Sequence, residues 1–222
     1  MAEHKTPSDI ERTSMQIITK ELEEQGIQIP QEHLAVVRRV IHTSADFDYA
    51  KNLLFTKDAC QRGREALSQG TPIVTDTNMA RSGISKVALA KLGGLAECYM
   101  ADPKVAEQAK AEGTTRAVMS MRKAKEIYPT AVFAIGNAPT ALFELSDLIE
   151  KGLRPSLVIA VPVGFVNVVE AKEEIFALCE KLDLPCIMAR GRKGGSTIAA
   201  AICNALIYSA ADMLKPEKRG WN

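Results

Sequence analysis

Apolar positions along the chain follow two rhythms. Over the first third they recur at the helical interval. Ile10, Ile17, Ile18 and Leu22 share one side of a helix that Ser8-Asp9-Ile10-Glu11 opens in capping-box form. Gly26 and Pro30 then break the chain. Leu34, Val37, Val40 and Ile41 mark a second helix over residues 31–41, and a third follows over 57–68. Beyond residue 70 the pattern changes. Short, largely apolar runs occur at 72–74, 95–100, 131–135, 157–161 and 186–189, each followed by a polar or glycine-containing turn and then by helical sequence. Those helices fall at 78–92, at 104–128 with a break at Gly113, and at 138–151, 167–182 and 196–214. Strands that lack polar alternation are buried on both faces. The pattern therefore predicts an α/β fold, a three-layer α/β/α arrangement around a five-stranded, mainly parallel, doubly wound sheet. Numbered along the chain, its strands are expected in the order 3-2-1-4-5, one doubly wound arrangement. The two leading helices are expected against one edge or beside the site. No repeat or linker divides the sequence, so 1–222 reads as one domain with mobile ends at 1–7 and 216–222.

Composition narrows the function classes. An apolar fraction of 46% is ample for such a core, and aromatics at 5% leave it to Ala, Val, Ile and Leu. A formal net charge of +1 makes no case for nucleic acid or an anionic membrane as partner. No apolar run approaches the ~20 residues that span a bilayer, and the stretch 1–24 is too charged for a secretion signal. Cys60, Cys98, Cys179, Cys186 and Cys203 are odd in number and lack C-x-x-C spacing. The reading is a reduced, cytoplasmic protein without disulfides or structural zinc.

In a sheet of this kind ligands sit beyond the carboxyl ends of the strands, so the turns after each run carry the candidate chemistry. They supply Thr75-Asp76-Thr77-Asn78-Met79, Asp102-Pro103 with Gly113-Thr114-Thr115-Arg116 farther on, Gly136-Asn137-Ala138-Pro139-Thr140, Pro162-Val163-Gly164-Phe165-Val166-Asn167, and Arg190-Gly191-Arg192-Lys193-Gly194-Gly195-Ser196. The last leads three cations and three glycines into a helix amino end, which is the make-up of an anion site. It lacks the P-loop spacing, and no strand ends in G-x-G-x-x-G. A solvated basic loop is the plainer alternative. Arg39, Arg81, Arg116, Arg190 and Arg192 all fall near helix ends or strand-to-helix turns. Converging arginines suit a substrate with several carboxylates, because the guanidinium fork binds a carboxylate bidentately.

The chain has three histidines. His4 lies near the terminus and His33 on the polar side of a first helical turn. His42 ends a helix, where the dipole favours the protonated ring, and it is the histidine placed for acid–base work. A capping or packing role is the alternative. The spacing His42-x-x-x-Asp46-x-Asp48 matches no ligand set, so no metal is expected. No G-x-S-x-G elbow occurs, and Thr43 and Ser44 have no evident orienting group, so covalent catalysis has little support. Ser14, in mid-helix, carries no role by itself.

Five stretches together resemble the precorrin-8X methylmutase (precorrin isomerase, cobalt-precorrin-8 methylmutase) family. They are Arg39-Val40-Ile41-His42, Asp76-Thr77-Asn78-Met79, Gly136-Asn137-Ala138-Pro139-Thr140-Ala141-Leu142, Pro162-Val163-Gly164-Phe165-Val166 and Gly191-Arg192-Lys193-Gly194-Gly195-Ser196, in the family's order, and the resemblance runs from about Ile10 to Ala210. It implies a step of vitamin B12 synthesis in which a methyl group moves from C11 to C12 of precorrin-8X or cobalt-precorrin-8, giving hydrogenobyrinate or cobyrinate. It implies no cofactor, a parallel α/β sheet and a homodimer. It implies His42 as proton donor and acceptor, with Ser14, Arg39 and Arg116 against the substrate; Ala117 stands where the family usually has serine. Thr77, Asn137, Arg190, Arg192, Gly194 and Ser196, from the turns above, complete the expected substrate-binding set. The expected partner is a corrinoid small molecule, a ring edged with acetates and propionates, and neither nucleic acid nor membrane. A tetrapyrrole carrier would need the same arginine rim without a competent His42. A nucleotide-binding module is disfavoured by the missing phosphate fingerprints.

Overall fold

The computed structural model describes residues 6–219. His4 and residues 220–222 lie outside them. In chain order, helices α1 (Pro7–Glu24), α2 (Gln31–Ser44) and α3 (Tyr49–Asn52) precede strand β1 (Leu53–Phe55) and helix α4 (Ala59–Ser68). Strand β2 (Ile73–Thr75) leads to α5 (Asn78–Gly83) and α6 (Lys86–Lys91), and β3 (Ala96–Glu97) to α7 (Pro103–Ala111) and α8 (Arg116–Ile127). Then β4 (Val132–Ile135), β5 (Leu157–Ala160) and β6 (Cys186–Ala189) alternate with α9 (Pro139–Glu150), α10 (Val168–Lys181) and α11 (Ser196–Ala210), before a 3-10 turn at Pro216–Arg219.

The six strands form one sheet in the order β1-β6-β5-β4-β2-β3. All pairs are parallel except β1 with β6, where Leu53 lies opposite Ala189. The α/β class and the five parallel strands hold, but their order, taking those five in chain order, is 2-1-3-4-5 rather than 3-2-1-4-5. The strand expected over 95–100 takes the edge, where only Ala96 and Glu97 pair; a short, half-exposed strand suits an edge. The sixth strand, β1, is three residues long, too short to leave a pattern, and exists through its pairing with β6.

Alternate strand residues divide between two cores, as the pleat requires. Ile73, Val132, Ala134, Leu157, Ile159, Ile187 and Ala189 face α1, α2, α4 and α11. Val74, Phe133, Ile135, Val158, Ala160, Cys186 and Met188 face α8, α9 and α10. Helix α11 is apolar nearly all round because α2, α4 and α5 pack against it as well as the sheet.

Local chemistry sets several boundaries. The expected helix over 78–92 is broken by Asn204 of α11, whose amide donates to the Gly83 carbonyl (2.8 Å) and accepts from the Ser85 N–H (2.8 Å). The expected break at Gly113 is present, with φ of 63°. Helix α1 starts two residues earlier than the capping-box reading: Thr6 is the cap, accepting from the Asp9 N–H, and Pro7 takes the first helical position. Ser8 is instead buried within the first turn. His33, expected on a polar face, stacks on Phe55 with ring centroids 3.9 Å apart. Residues 216–219, expected to be mobile, form the 3-10 turn whose Arg219 binds Glu11 of α1.

Candidate active site

Strand order reverses between β2 and β4, and the connections there leave to opposite faces of the sheet. Such a switch point opens a crevice at the carboxyl edge. Asp76, immediately after β2, closes the bottom of this one. Its fully buried carboxylate accepts the N–H groups of Gly136 (2.8 Å), Asn137 (2.8 Å) and Ala138 (2.7 Å) after β4. Burial pushes its pKa up, against the pull of those three bonds.

The β6–α11 turn is set on the same edge by close backbone approach. A Cβ on Gly136 would lie 2.8 Å from the Ser196 Cα, and one on Gly194 would lie 2.1 Å from the Val161 carbonyl oxygen. Only glycine permits either approach. The Gly195 N–H donates to the Val161 carbonyl (2.8 Å) and the Gly164 N–H to that of Arg192 (3.3 Å). The Thr77 and Ser196 hydroxyls share a hydrogen bond of 2.7 Å. Thr77, Asn137, Arg192, Gly194 and Ser196 are thus gathered along one edge. Gly195 is the cap residue of α11 and supplies no side-chain bond to its first N–H groups, an arrangement suited to an anion. Arg190 and Arg192 are exposed there.

His42 stands in the last turn of α2. One turn before it, Arg39 donates to Glu11 Oε1 at 2.6 Å, and Arg219 donates to both Glu11 oxygens at 2.7 and 2.9 Å. Both guanidinium groups lie over the Tyr208 ring, 5.4 and 4.5 Å from its centroid. The helix-end argument anticipated a protonated ring. The structure reverses it: crowding of the ring by protein atoms, then the Arg39 charge, hold the His42 pKa below the ordinary imidazole value; Glu11 opposes this and Arg219 adds to it. The ring keeps an exposed side, so a ligand can reach it.

Lys193 joins the two halves. Its ammonium binds Asp46 and Asp48, just past His42, at 2.6 Å each. These carboxylates therefore hold the loop against the basic turn. The Arg190 N–H donates to the Asn52 carbonyl (2.8 Å), fastening the turn to the residue before β1.

The other expected residues are more scattered. Ser14, one turn past Glu11 on α1, donates its hydroxyl to the Ile10 carbonyl (2.8 Å). Arg116 is exposed at the first position of α8, beside Thr115, whose hydroxyl meets that of Thr140 on α9 (3.1 Å). It approaches the β4 end from the face opposite to α2, and its neighbour Ala117 is buried in the second core. Arg81 is used internally, its Nε donating to the Ala96 carbonyl (2.9 Å). No local pattern marks the Glu11–Arg219 pair, which joins residues 208 positions apart. Phe165, 80% exposed on the β5–α10 turn and 5.2 Å from the Arg192 guanidinium, was discernible only as part of a motif. A cleft of about 810 Å3 lies between α1, Arg38 and residues 214–217, bordered by Glu11 and lined by no strand residue.

A titratable imidazole is thus held beside the cation-lined, glycine-built edge of an α/β sheet. The precorrin-8X methylmutase family profile matches residues 9–209. A cobalt-precorrin-8 methylmutase of Priestia megaterium is 45% identical over 90% of this chain and 87% of its own length. One from Leptospira interrogans is 42% identical over 90% and 92%. The crystal structure of a precorrin-8X methyl mutase from Thermus thermophilus matches with a TM-score of 0.82 at 36% identity, covering 91% of this chain and 98% of that one. The chain belongs to the precorrin-8X methylmutase family.

Proposed function

We propose that this chain is an isomerase of cobalamin biosynthesis that moves a methyl group from C11 to C12 of cobalt-precorrin-8, giving cobyrinate, with His42 as general acid and base. The cobalt-bearing substrate is preferred because the Priestia and Leptospira relatives are named for it. The single observation that carries the catalytic assignment is the position of His42: partly exposed, next to Arg39, and clamped through Asp46, Asp48 and Lys193 to the basic turn.

The chemistry follows from that setting. Protonating a ring nitrogen withdraws electrons from the conjugated macrocycle and eases the methyl shift, after which the proton is retaken. In the free protein burial, and after it the Arg39 and Arg219 charges, disfavour the protonated His42 ring and make its conjugate acid a stronger acid. Acetates and propionates arriving at Arg39, Arg190, Arg192 and Arg116 offset those charges, so His42 gains its proton as the substrate binds. Ser14, Thr77, Asn137, Gly194 and Ser196 complete the substrate contacts. Positioning and electrostatics supply what proton transfer does not. We place this single-domain protein in the cytoplasm as a homodimer. Among the described residues no helix is long and apolar enough to cross a membrane.

The test is turnover of cobalt-precorrin-8 and of precorrin-8X, followed by absorbance, with NMR checking for two methyl groups on C12. Faster conversion of the cobalt form is expected. Binding of both without conversion would make the protein a tetrapyrrole carrier, and absence of binding would reject the reading.

A further inference from the structure

Lys172, in the first half of α10, has a side chain with no solvent exposure. Lysine is almost never fully buried unless a partner compensates its charge. The partners here are two backbone carbonyls, those of Gly191 and Lys193, each accepting from Nζ at 2.8 Å. These two residues flank Arg192 in the basic turn. The Arg192 carbonyl is itself taken by the Gly164 N–H, so three consecutive carbonyls of the turn are drawn onto the protein. Gly191 turns the chain with φ of +73°, and Gly194 is pressed against Val161.

We infer that Lys172 is the positioning residue of the substrate-carboxylate turn: its buried amine gathers the Gly191 and Lys193 carbonyls inward and thereby presents Arg190, Arg192 and the amino end of α11 outward. This rests on the proposed corrinoid reading for the identity of the ligand, but the positioning itself does not. An apolar residue would fill the same volume, yet it would leave two buried acceptors unpaired and their residues free to rotate. Burial also pushes the Lys172 pKa down to about 8. The neutral amine still offers two N–H donors, so the turn is held in either protonation state.

The experiment compares wild type with Lys172→Met and Lys172→Gln, by amide hydrogen exchange over residues 190–196 and by steady-state kinetics with cobalt-precorrin-8. In K172M, exchange in the turn is expected to accelerate while the sheet strands stay protected. KM should rise about tenfold or more with kcat within about threefold, the signature of lost binding rather than lost chemistry. K172Q keeps two N–H donors on a side chain one bond shorter and should recover part of both effects. Unchanged exchange in a folded K172M overturns the assignment, as does a fall in kcat at constant KM. If K172M does not fold, K172Q decides alone: a local exchange increase with raised KM supports the role, and wild-type values in both overturn it. Absence of wild-type turnover would count against the substrate reading, leaving the exchange result to judge Lys172.

Discussion

At the scale of single residues, burial and charge together decide how His42 titrates. Crowding by protein atoms, then the Arg39 charge, hold the folded pKa below the ordinary imidazole value, against Glu11 and with a smaller push from Arg219. The unfolded chain then binds more protons at mildly acidic pH. The stabilisation from neutral His42 is present above the ordinary imidazole range and is lost as pH falls toward the lowered folded value. In catalysis the protonated ring is the acid. The profile of kcat/KM should therefore decline as pH rises through a value below about 6.5, while that of kcat declines at higher pH, in the complex. His42→Ala should lower kcat about 10²–10⁴-fold with little loss of stability, and should abolish the proton uptake that calorimetry in buffers of different ionisation heat detects on binding. Near-normal turnover in that variant would remove the histidine from the mechanism. Glu11 is the counterpart test. Glu11→Gln leaves Arg39 and Arg219 facing each other beside Tyr208, so the His42 pKa should fall further in an NMR titration. Denaturation should show a loss of roughly 3–5 kcal/mol, the usual cost of breaking a buried ion pair from one side.

Among the secondary-structure elements, Asp76 has the widest reach, since one carboxylate fixes the start of the chain leaving β4 relative to β2. Asp76→Asn places an amide where three N–H groups converge. It should cost roughly 2–4 kcal/mol in chemical denaturation and loosen the Thr77–Ser196 contact, raising KM; stability equal to wild type would mean the three bonds contribute nothing net. How much of this edge could be read from sequence depends on distance along the chain. The parallel strands, the turns and the basic glycine stretch were legible because each is written in adjacent residues. Strand β1 was not, because Leu53-Leu54-Phe55 becomes a strand only against β6. The break between α5 and α6 was hidden for the same reason, since its cause is Asn204, some 120 residues later. Arg39 and His42 stand out in one local stretch, but the direction of the His42 shift comes first from burial in the folded chain, which local spacing does not show.

For the molecule as a whole, a formal charge of +1 leaves room for local clusters, with Arg190 and Arg192 exposed at the carboxyl edge of the sheet. Raising salt from about 0.05 to 0.5 M shortens the screening length severalfold. KM for the polycarboxylate substrate should rise accordingly while kcat holds, and a salt-independent KM would take the arginines out of recognition. The architecture also has a temporal side. Nearly everything that fixes the first 55 residues lies beyond residue 185: β1 on β6, Arg39 on Tyr208, Glu11 on Arg219, and the loop after His42 on Lys193. A ribosome delivers these partners well over a hundred residues after the groups they hold. The amino-terminal arm therefore waits without its sheet neighbour while the intervening residues are made, and it gains these contacts only once residues beyond 185 emerge. A chain that stops short of residue 185 can pair β2, β3, β4 and β5 yet lacks the basic turn and the contacts that hold the arm, so it is expected to be inactive rather than partly active.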